Sequence, residues 1–421
     1  MENRLSIALR AARRRPEFIN LINTSFHECG LYPDGAPLGA AYERYLSNGD
    51  LRPYRPDPAG LPALRTAVST FYAEAGLRVA PEQVIVTASA SESYLHLFTA
   101  IVANGGRGGA PRGVDTTPSG AGVDTTPSGA GVVLLPRPGY PLFEDVAVRA
   151  GLEPRFYDLR RDRGWAPDLD QIEAMLTQAA MGEGRPAAVV LISPNNPTGH
   201  IASETEITAL CELCARARAP LIVDEVFSEY RFAAADRALP RPAGACPDAR
   251  VFTINGASKL LASPDLKVSW IVATGPGRQR AVEALEVEAD VYLNASPLNQ
   301  YAAAALLGEH RPAAVVAEVA RRREVLLAAL RAANETAGGA ISWTDPAGGI
   351  HLPVMIDPAL ATDDEAVALD LLERYDLAVH PGYLYGVETP AILVLSYLAP
   401  PEVLEQGARR LGEYLASRRG G

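Results

Sequence analysis

The chain has 421 residues, of which 48% are apolar and 21% charged, which is typical of a soluble globular protein and too long for one small core. Its formal net charge of −11 argues against a nucleic-acid or anionic-membrane partner, because either partner needs a basic surface. Residues 1–20 lack the apolar core of a signal peptide, and no apolar run is long enough to span a membrane, so we expect a cytoplasmic protein.

Short apolar strands alternate with amphipathic helices over the first part of the chain. The helical stretches include 91–103 and 168–180. This spacing predicts an α/β fold with a mostly parallel sheet covered on both faces, and such a sheet binds its ligand at the carboxyl ends of its strands. The predicted strands are 83–88, 131–136, 187–193, 220–225, 250–255 and 268–274.

A repeated segment interrupts this pattern. The sequence GVDTTPSGA occurs at 113–121 and again at 122–130, inside a Gly-, Pro-, Ser- and Thr-rich stretch over 105–131. Few of these side chains can pack, so we expect a disordered, low-complexity surface insertion.

After about residue 300 the pattern changes to long helices and scattered short strands. We therefore expect an N-terminal arm that packs on a small domain, then a large domain, then the small C-terminal α+β domain itself. The respective ranges are 1–45, 46–295 and 296–421.

The four cysteines and six histidines carry little functional signal. Cys211 and Cys214 form the sequence CELC, but they lie in a helical pattern and no second such pair follows. A structural zinc site needs the second pair, so we expect cysteines that pack within a helix and no metal. The histidines are scattered without metal-ligand spacing, although His27 and His380 lie in loops near the expected site.

The chain has 39 Lys and Arg residues in all, and only Lys259 and Lys267 are lysines. Lys259 follows the strand at 250–255, Asp224 ends the strand at 220–225, and the turn SPNNPTG follows the strand at 187–193. An amine, a carboxylate and an amide at neighbouring ends of apolar strands are costly unless they bind something. A desolvated lysine can form a Schiff base, and a buried aspartate can hold a pyridine nitrogen protonated.

Taken together, NNPTG, the DE strand end and SK, in this order and spacing, resemble the fold-type I pyridoxal-phosphate enzymes, specifically the class I/II aminotransferases. The resemblance extends from about Leu21 to about Leu415 and is interrupted by the repeat. It implies a fold-type I α/β transferase, with a mostly parallel central sheet in a large domain and a smaller α+β domain. It also implies pyridoxal 5′-phosphate as the cofactor.

The resemblance implies a role for each matching residue. Lys259 would hold the cofactor covalently and act as the catalytic base, Asp224 would contact its pyridine nitrogen, and Asn196 would bond to its ring hydroxyl. Tyr140 would stack on the ring. Tyr54 would reach across a dimer interface to the phosphate in the neighbouring subunit, so a homodimer is expected.

The segment TASASES matches the family's phosphate-binding turn, with Ser89, Ala90 and Ser91 at the cradle, and free amides at a helix N-terminus suit a phosphate dianion. Lys267 stands where the family normally has a phosphate-binding arginine. An ammonium makes a point contact whereas a guanidinium binds in a bidentate manner. A tolerated replacement and a remodelled site both stay open.

Three further positions depart from the family pattern. Phe227 replaces a tyrosine that donates to the ring oxygen, Gly256 replaces a frequent phosphate-contacting serine, and Val394 replaces the arginine that clamps the substrate α-carboxylate. Valine cannot make that charge-assisted bond. Either the substrate has no free α-carboxylate, or Arg52 or Arg55 binds it from another direction, or the site is degenerate and not catalytic.

Other segments that face the substrate match the family. They contain Gly349 in PAGGIHL, Tyr383 in the loop 380–386, and His27 in the N-terminal stretch 23–33. We expect these residues, with Val394, to surround the substrate.

The resemblance predicts an aminotransferase-like enzyme whose partner is an amino donor or an amino-acid-like substrate. Replacement at the β or γ carbon, decarboxylation and carbon–carbon bond formation use the same scaffold, and the sequence does not separate them. A sugar aminotransferase needs no carboxylate clamp, but its motifs differ from NNPTG. A non-catalytic regulator needs a DNA-binding domain ahead of the fold, where only about 20 residues are present.

The Ala, Arg, Gly and Pro richness, with the altered site, favours specialised metabolism.

Overall fold

The structure is a computed structural model and describes residues 4–51, 56–105, 131–182, 185–237, 241–309, 311–387 and 391–419. Most of the predicted insertion over 105–131 lies outside these residues, as do Arg52, Tyr54 and Arg55.

Helices and strands alternate along most of the described chain. The helices are α1 (Arg4–Ala12), α2 (Gly35–Ser47), α3 (Pro62–Glu74), α4 (Ala90–Gly105), α5 (Leu142–Arg149), α6 (Leu169–Ala180), α7 (Glu204–Ala217), α8 (Ala234–Arg237), α9 (Ala257–Leu260), α10 (Arg278–Tyr292), α11 (Pro297–Glu309), α12 (Ala313–Thr336), α13 (Asp364–Tyr375) and α14 (Pro401–Arg419). The strands are β1 (Ile19–Asn20), β2 (Val84–Thr87), β3 (Gly131–Arg137), β4 (Glu153–Arg160), β5 (Ala166–Pro167), β6 (Arg185–Ile192), β7 (Leu221–Asp224), β8 (Val251–Gly256), β9 (Ser269–Thr274), β10 (Ile341–Trp343), β11 (His351–Ile356), β12 (Leu377–Ala378), β13 (His380–Pro381) and β14 (Ile392–Ser396).

A large sheet forms the centre of the molecule, with the strand order β2-β9-β8-β7-β6-β3-β4-β5. The pairs from β8 through β7, β6 and β3 to β4 are parallel, whereas β9 runs antiparallel to both of its neighbours. The predicted mostly parallel α/β fold is therefore confirmed. All six predicted strands are present, as β2, β3, β6, β7, β8 and β9.

Side chains of the central strands alternate between two apolar clusters, one on each face of the large sheet. In β7, Leu221 and Val223 belong to one cluster and Ile222 to the other. Because successive side chains of a strand point to opposite faces, burying both faces requires a nearly continuous apolar run, as the sequence LIV provides. The polar groups that end these strands therefore lie at one edge of a well-packed sheet.

A second, smaller sheet has the antiparallel order β10-β11-β14-β13 and packs with α12 and α14 around its own apolar cluster. The N-terminal segment joins this cluster, because β1 pairs in parallel with β12 and because Leu5, Leu21 and Phe26 are buried there. His351 of β11 and His380 of β13 line the same cavity as residues at the carboxyl ends of the central strands, so the small sheet lies against that edge of the large sheet.

The division of the chain at residues 45 and 296 stays a prediction. In the structure, α11 packs on α2 and α3, and its residues Ala302 and Leu306 belong to an apolar cluster of the large sheet. After residue 296, the first residue that belongs to the apolar cluster of the small sheet is Val315, in α12.

The cysteines differ from the sequence expectation in one respect. Cys211 is buried in α7 as expected, but it is bonded to Cys246, with a Cα–Cα distance of 5.4 Å. Cys214 is a buried free thiol, and burial raises its pKa to about 12, so it stays protonated at neutral pH. The two residues of the CELC pair therefore do not bond to each other.

None of the helices among the described residues is both long and apolar enough to cross a bilayer. No group of three or more His, Cys, Asp or Glu side chains among those residues could hold a metal ion.

Candidate active site

A cavity of about 450 Å³ lies where the carboxyl ends of β6, β7 and β8 meet the small sheet. It collects the polar groups that the sequence placed at these strand ends. Its described lining comprises Thr24, Ser89, Ala90, Ser91, Tyr140, Phe143, Ile192, Asn196, Asp224, Val226, Phe227, Gly256, Ser258, Lys259, Pro264, Lys267, Ser269, Ile350, His351, His380 and Tyr385.

Lys259 lies in the short helix α9, directly after β8, and presents its amine to this cavity. Its Nζ atom lies 5.4 Å from the ring centroid of Phe26 and 6.0 Å from that of Phe227. Within the described residues, no hydrogen-bond acceptor or counterion contacts Nζ. Burial without an anion lowers the pKa of Lys259 to about 8, so roughly a tenth of the amine is unprotonated at pH 7. An amine in this state is a nucleophile and a base.

Asp224 ends β7 and is fully buried at the floor of the cavity. Its Oδ2 atom accepts a hydrogen bond from the Tyr94 hydroxyl at 3.2 Å, and its Oδ1 atom accepts one from the Val226 amide at 3.1 Å. Burial nevertheless raises the pKa of Asp224 to about 6. A cationic group bound beside this carboxylate would offset the desolvation, so the site suits a protonated ring nitrogen.

The next residue, Glu225, serves the fold instead. Its Oε2 atom lies 3.3 Å from Arg241 Nη1, and the Arg241 guanidinium also stacks over the ring of Phe71. Both charged groups are buried, so the pair neutralises charge beneath the sheet edge. The two carboxylates of the DE sequence therefore have different roles.

The two asparagine side chains of the turn SPNNPTG also have different roles. Asn195 Oδ1 accepts hydrogen bonds from the amide and the hydroxyl of Thr198, at 3.1 and 2.8 Å, and so closes the turn. Asn196 lines the cavity, and its Oδ1 atom is buried without a hydrogen-bond partner among the described residues. A buried amide oxygen without a partner is costly, so this atom is available to a ligand.

Ser89, Ala90 and Ser91 line one end of the cavity where α4 begins. Lys267 lines the same cavity, in a left-handed conformation with φ of 51°. Helix N-terminal amides, hydroxyls and an ammonium together make a site for a phosphate dianion. The structure thus brings Ser89, Ala90, Ser91 and Lys267 together, whereas Tyr54, the other residue expected to bind phosphate, lies outside the described residues.

Gly256 and Ser269 explain one departure from the family pattern. The two residues are paired across β8 and β9. A Cβ atom placed on Gly256 would lie 2.1 Å from Ser269 Oγ, so the hydroxyl of Ser269 occupies the space that a serine side chain at 256 would need. Both residues line the cavity, and Ser269 is buried. Sequence analysis does not identify Ser269, because the exchange becomes visible only once the two strands are paired.

Tyr140 and Phe227 lie on the walls of the cavity. The Tyr140 side chain is 44% exposed and makes an edge contact with Phe143, so one ring face is open to a ligand. Phe227 is buried beside Phe26 and the lysine amine, with no hydroxyl to donate.

Val394 lies in β14 with its side chain buried in an apolar cluster, and it does not appear in the cavity wall. The wall near this position is formed by His351, His380 and Tyr385 instead. His380 and Tyr385 belong to the loop 380–386, which was expected to face the substrate, whereas no substrate contact was predicted for His351.

Two residues expected near the substrate, His27 and Tyr383, lie outside the wall of this cavity. His27 is exposed and makes an edge contact with Tyr32, whereas Thr24 from the same segment lines the cavity. Tyr383 lines a neighbouring recess, where its amide donates to Asp364 Oδ2 at 2.9 Å.

Gly349 has a positive φ of 78°, and its amide donates to the Tyr230 carbonyl at 2.9 Å. It lies beside Ile350, which lines the cavity. The roles of His27, Tyr383, Gly349 and Tyr54 stay predictions.

Comparison with known proteins agrees with this geometry. A family profile described as aminotransferase class I and II matches residues 123–411, well over half of the chain. The chain belongs to this family. Its members use pyridoxal 5′-phosphate, so the chain is a fold-type I transferase of the class I/II aminotransferase type.

Individual aminotransferases resemble the chain over most of its length. Alanine aminotransferase of Mycobacterium tuberculosis is 30% identical over 292 residues, which is 68% of this chain and 66%, just under two thirds, of that relative. Glutamate-pyruvate aminotransferase AlaA of Escherichia coli is 25% identical over 366 residues, covering 86% of this chain and 82% of that protein. Alanine aminotransferase from Pyrococcus furiosus superposes with a TM-score of 0.80 at 21% identity, covering 99% and 98% of the two chains, which establishes the fold.

The residues of the cavity fit the cofactor of the aminotransferase family. The Asn196 Oδ1 atom is buried without a polar partner among the described residues, and within that part of the chain the largely buried Lys259 amine has no counterion and the buried Asp224 carboxylate has no cation. Groups left in this state are stabilised when a ligand supplies the complementary atoms. The aldehyde of this cofactor would bind the Lys259 amine, its ring hydroxyl would bond to Asn196 and its ring nitrogen would contact Asp224. Its phosphate suits the site at the start of α4.

Proposed function

We propose that this chain is a pyridoxal-phosphate-dependent aminotransferase that acts on an amino acid or an amine. One observation carries the proposal: a largely buried lysine amine, with no counterion among the described residues, and a buried carboxylate line the same cavity. In the overall reaction, the amino group leaves the donor, whose carbon takes an oxygen atom from water and becomes a carbonyl. A second substrate then gives up its carbonyl oxygen to water and gains the amino group.

When bound, the cofactor supplies an electron sink for the bond that breaks at the donor carbon. Lys259 would hold the cofactor and then move a proton at that carbon, for which its pKa of about 8 is suited near neutral pH. Asp224 would keep the ring nitrogen protonated, and Asn196 would orient the ring through its hydroxyl. Ser89, Ser91 and Lys267, with Ser269, would bind the phosphate.

The relatives are named for alanine, glutamate and pyruvate, which supports an amino donor and a carbonyl acceptor as the substrate pair, and the altered site supports a role in specialised metabolism. One observation favours a second candidate chemistry. Val394 is buried in an apolar cluster, so the family's carboxylate clamp is missing. Replacement at the β or γ carbon, decarboxylation or carbon–carbon bond formation on the same scaffold is therefore the alternative.

A homodimer is part of this proposal. Val287, Val291, Tyr292 and Leu293 form an exposed apolar patch at the end of α10. The adjacent Asn294 donates to the carbonyl of Pro58 at 2.8 Å, so the patch lies next to the segment that follows Tyr54. We therefore propose that a second copy packs on this patch, and the family resemblance implies that Tyr54 of one copy reaches the phosphate site of the other.

The proposal is tested by following amino transfer in the purified protein. The protein is loaded with cofactor, amino donors are added one at a time, and both the visible absorbance band and the carbonyl product are measured. We expect loss of the band with stoichiometric carbonyl release, and neither in Lys259→Arg. A band that stays unchanged with every donor while a carbon dioxide or ammonia product forms would favour the alternative chemistry. A protein that binds no cofactor would contradict both.

A further inference from the structure

Two histidines lie on either side of the position where the aminotransferase family has its arginine. In the small sheet, Val394 of β14 pairs with His380 of β13 and with Pro353 of β11. His351 lies two residues before Pro353 and therefore on the same face of the sheet. Both imidazoles line the cavity that contains Lys259.

The ring of His351 is buried, and neither of its nitrogens has a hydrogen-bond partner among the described residues. Its ring centroid lies 6.3 Å from that of Tyr385. His380 Nδ1 and Tyr385 Oη are 3.0 Å apart and share a hydrogen bond. The cluster thus presents an unpartnered imidazole next to a hydrogen-bonded imidazole–phenol pair, all facing the cavity.

The cluster carries no charge at neutral pH. Burial, reinforced by the nearby His380 and Lys259, lowers the pKa of His351 to about 3, and burial lowers the pKa of His380 to about 4. No arginine lines the cavity within the described residues. Arg137 lies in the adjoining recess, where its Nη2 atom is 3.2 Å from Asp158 Oδ1.

We propose that His351 and His380 bind an uncharged hydrogen-bonding group of the amino donor, such as a carboxamide or a hydroxyl, where related enzymes hold a carboxylate. The proposal rests on the function proposed above and names its substrate class. A neutral imidazole offers one N–H donor and one acceptor nitrogen, which matches a carboxamide or a hydroxyl. A carboxylate has no donor for the acceptor nitrogen, and the two neutral imidazoles offer no positive charge to offset the loss of its hydration.

The first test compares three ligands with one side chain, namely L-alanine, L-alaninamide and L-alaninol. Each is titrated into the cofactor-loaded protein, and the concentration that gives half of the absorbance change is recorded. We expect alaninamide or alaninol to need at least about tenfold less than alanine, the factor that about 1.4 kcal/mol of binding free energy produces. Equal or better binding of alanine would overturn the proposal.

Variants of His351 assign the preference to this residue. His351→Leu should abolish the preference for the neutral ligands, whereas His351→Gln, which keeps a neutral donor and acceptor, should retain most of it. His96→Leu is the matched control, because His96 is also buried with an unpartnered Nδ1 but lies outside the cavity wall. Since the ratio of two ligands is compared between proteins, differences in amine basicity cancel. A preference that persists in His351→Leu would contradict the assignment.

A measurement of stability is independent of the substrate. Because the His351 ring makes no hydrogen bond within the described protein, His351→Leu should raise the thermal midpoint of the cofactor-free protein. A lowered midpoint would show that the imidazole is structural and would overturn the proposal. If the cofactor binds but no amine alters its absorbance, the proposed transamination fails, and the stability result alone decides the role of His351.

Discussion

Asp224 couples the stability of the cofactor-free protein to pH. Its carboxyl has a pKa of about 6 in the fold against an ordinary value of 3.8, so the folded chain binds more protons than the unfolded chain between these values. The stability contributed by the protonated group is complete below pH 3.8 and is lost as pH rises through 6. The shift of about two pH units corresponds to about 3 kcal/mol.

We therefore expect Asp224→Asn to remove this contribution. The variant and the wild type are denatured without cofactor from pH 4.5 to pH 7.5, and the difference between their midpoints is plotted against pH. The variant should gain stability relative to the wild type as pH rises. Parallel curves for the two proteins would contradict the desolvation of the Asp224 carboxyl that its burial in the structure implies.

Gly256 and Ser269 give a second prediction at the scale of single residues. Gly256→Ser should lower the free energy of unfolding by about 1–3 kcal/mol, because the new Cβ atom would lie 2.1 Å from Ser269 Oγ. Adding Ser269→Gly moves the hydroxyl from one strand to the other and should recover most of the lost stability. Denaturation of the wild type, both single variants and the double variant measures this coupling, and purely additive effects would contradict it.

Site residues were predictable from the sequence where a local motif carries them. Lys259, Asp224 and Asn196 each follow an apolar strand, so their placement in one cavity followed from the strands alone. Ser269, His351 and Tyr94 carry no such signal, because their importance depends on pairing with residues that are distant in sequence. Tyr383 was expected at the substrate, whereas Tyr385, two positions later, lines the cavity.

At the scale of elements, strands buried on both faces were the most predictable feature. β4 was not predicted, because Arg155, Asp158 and Arg160 break its apolar pattern, although it lies inside the sheet between β3 and β5. Its charged side chains are only partly buried, so this part of the sheet tolerates a polar sequence. A strand at such a position resembles a loop until its neighbours are known.

Helix α4 contributes to both ends of the site. Its first residues, Ala90 and Ser91, line the cavity, and one turn further on the hydroxyl of Tyr94 donates to Asp224. The helix therefore fixes the distance between the expected phosphate position and the carboxylate.

We expect Tyr94→Phe to weaken cofactor binding by tenfold or more, since a hydrogen bond to a charged group contributes about 1.5–3 kcal/mol. Absorbance titration of the cofactor measures the change. Tyr157→Phe is the control, because the buried Tyr157 hydroxyl donates to the Val190 carbonyl at 2.7 Å and not to Asp224. Equal losses in both variants would point to general destabilisation.

At the scale of the whole molecule, we propose that the exposed patch at the end of α10 forms the interface of a homodimer. Val291 is 71% exposed and Val287, one turn earlier, is 65% exposed, so both side chains lie on one face of the helix. Val291→Glu should give monomers with weaker cofactor binding, because a buried unpaired carboxylate is costly. Val148→Glu on α5, where Val148 is 59% exposed, is the control and should stay dimeric.

Analytical ultracentrifugation measures both variants, and a monomeric wild type or a dimeric Val291→Glu would contradict the interface. Subunit mixing then tests the contribution of Tyr54. Inactive Tyr54→Phe and Lys259→Ala dimers should regain activity when their subunits are exchanged, because each hybrid contains one complete site.

The central claim is that Lys259 holds the cofactor, and the chain is well suited to a direct test because it contains only two lysines. The cofactor-loaded protein is reduced with borohydride, digested and mapped by mass spectrometry. We expect the cofactor mass on the peptide that contains Lys259, its retention in Lys267→Arg, and its loss in Lys259→Arg. A label on Lys267, or no label on either lysine in a protein that has bound the cofactor, would contradict the assignment.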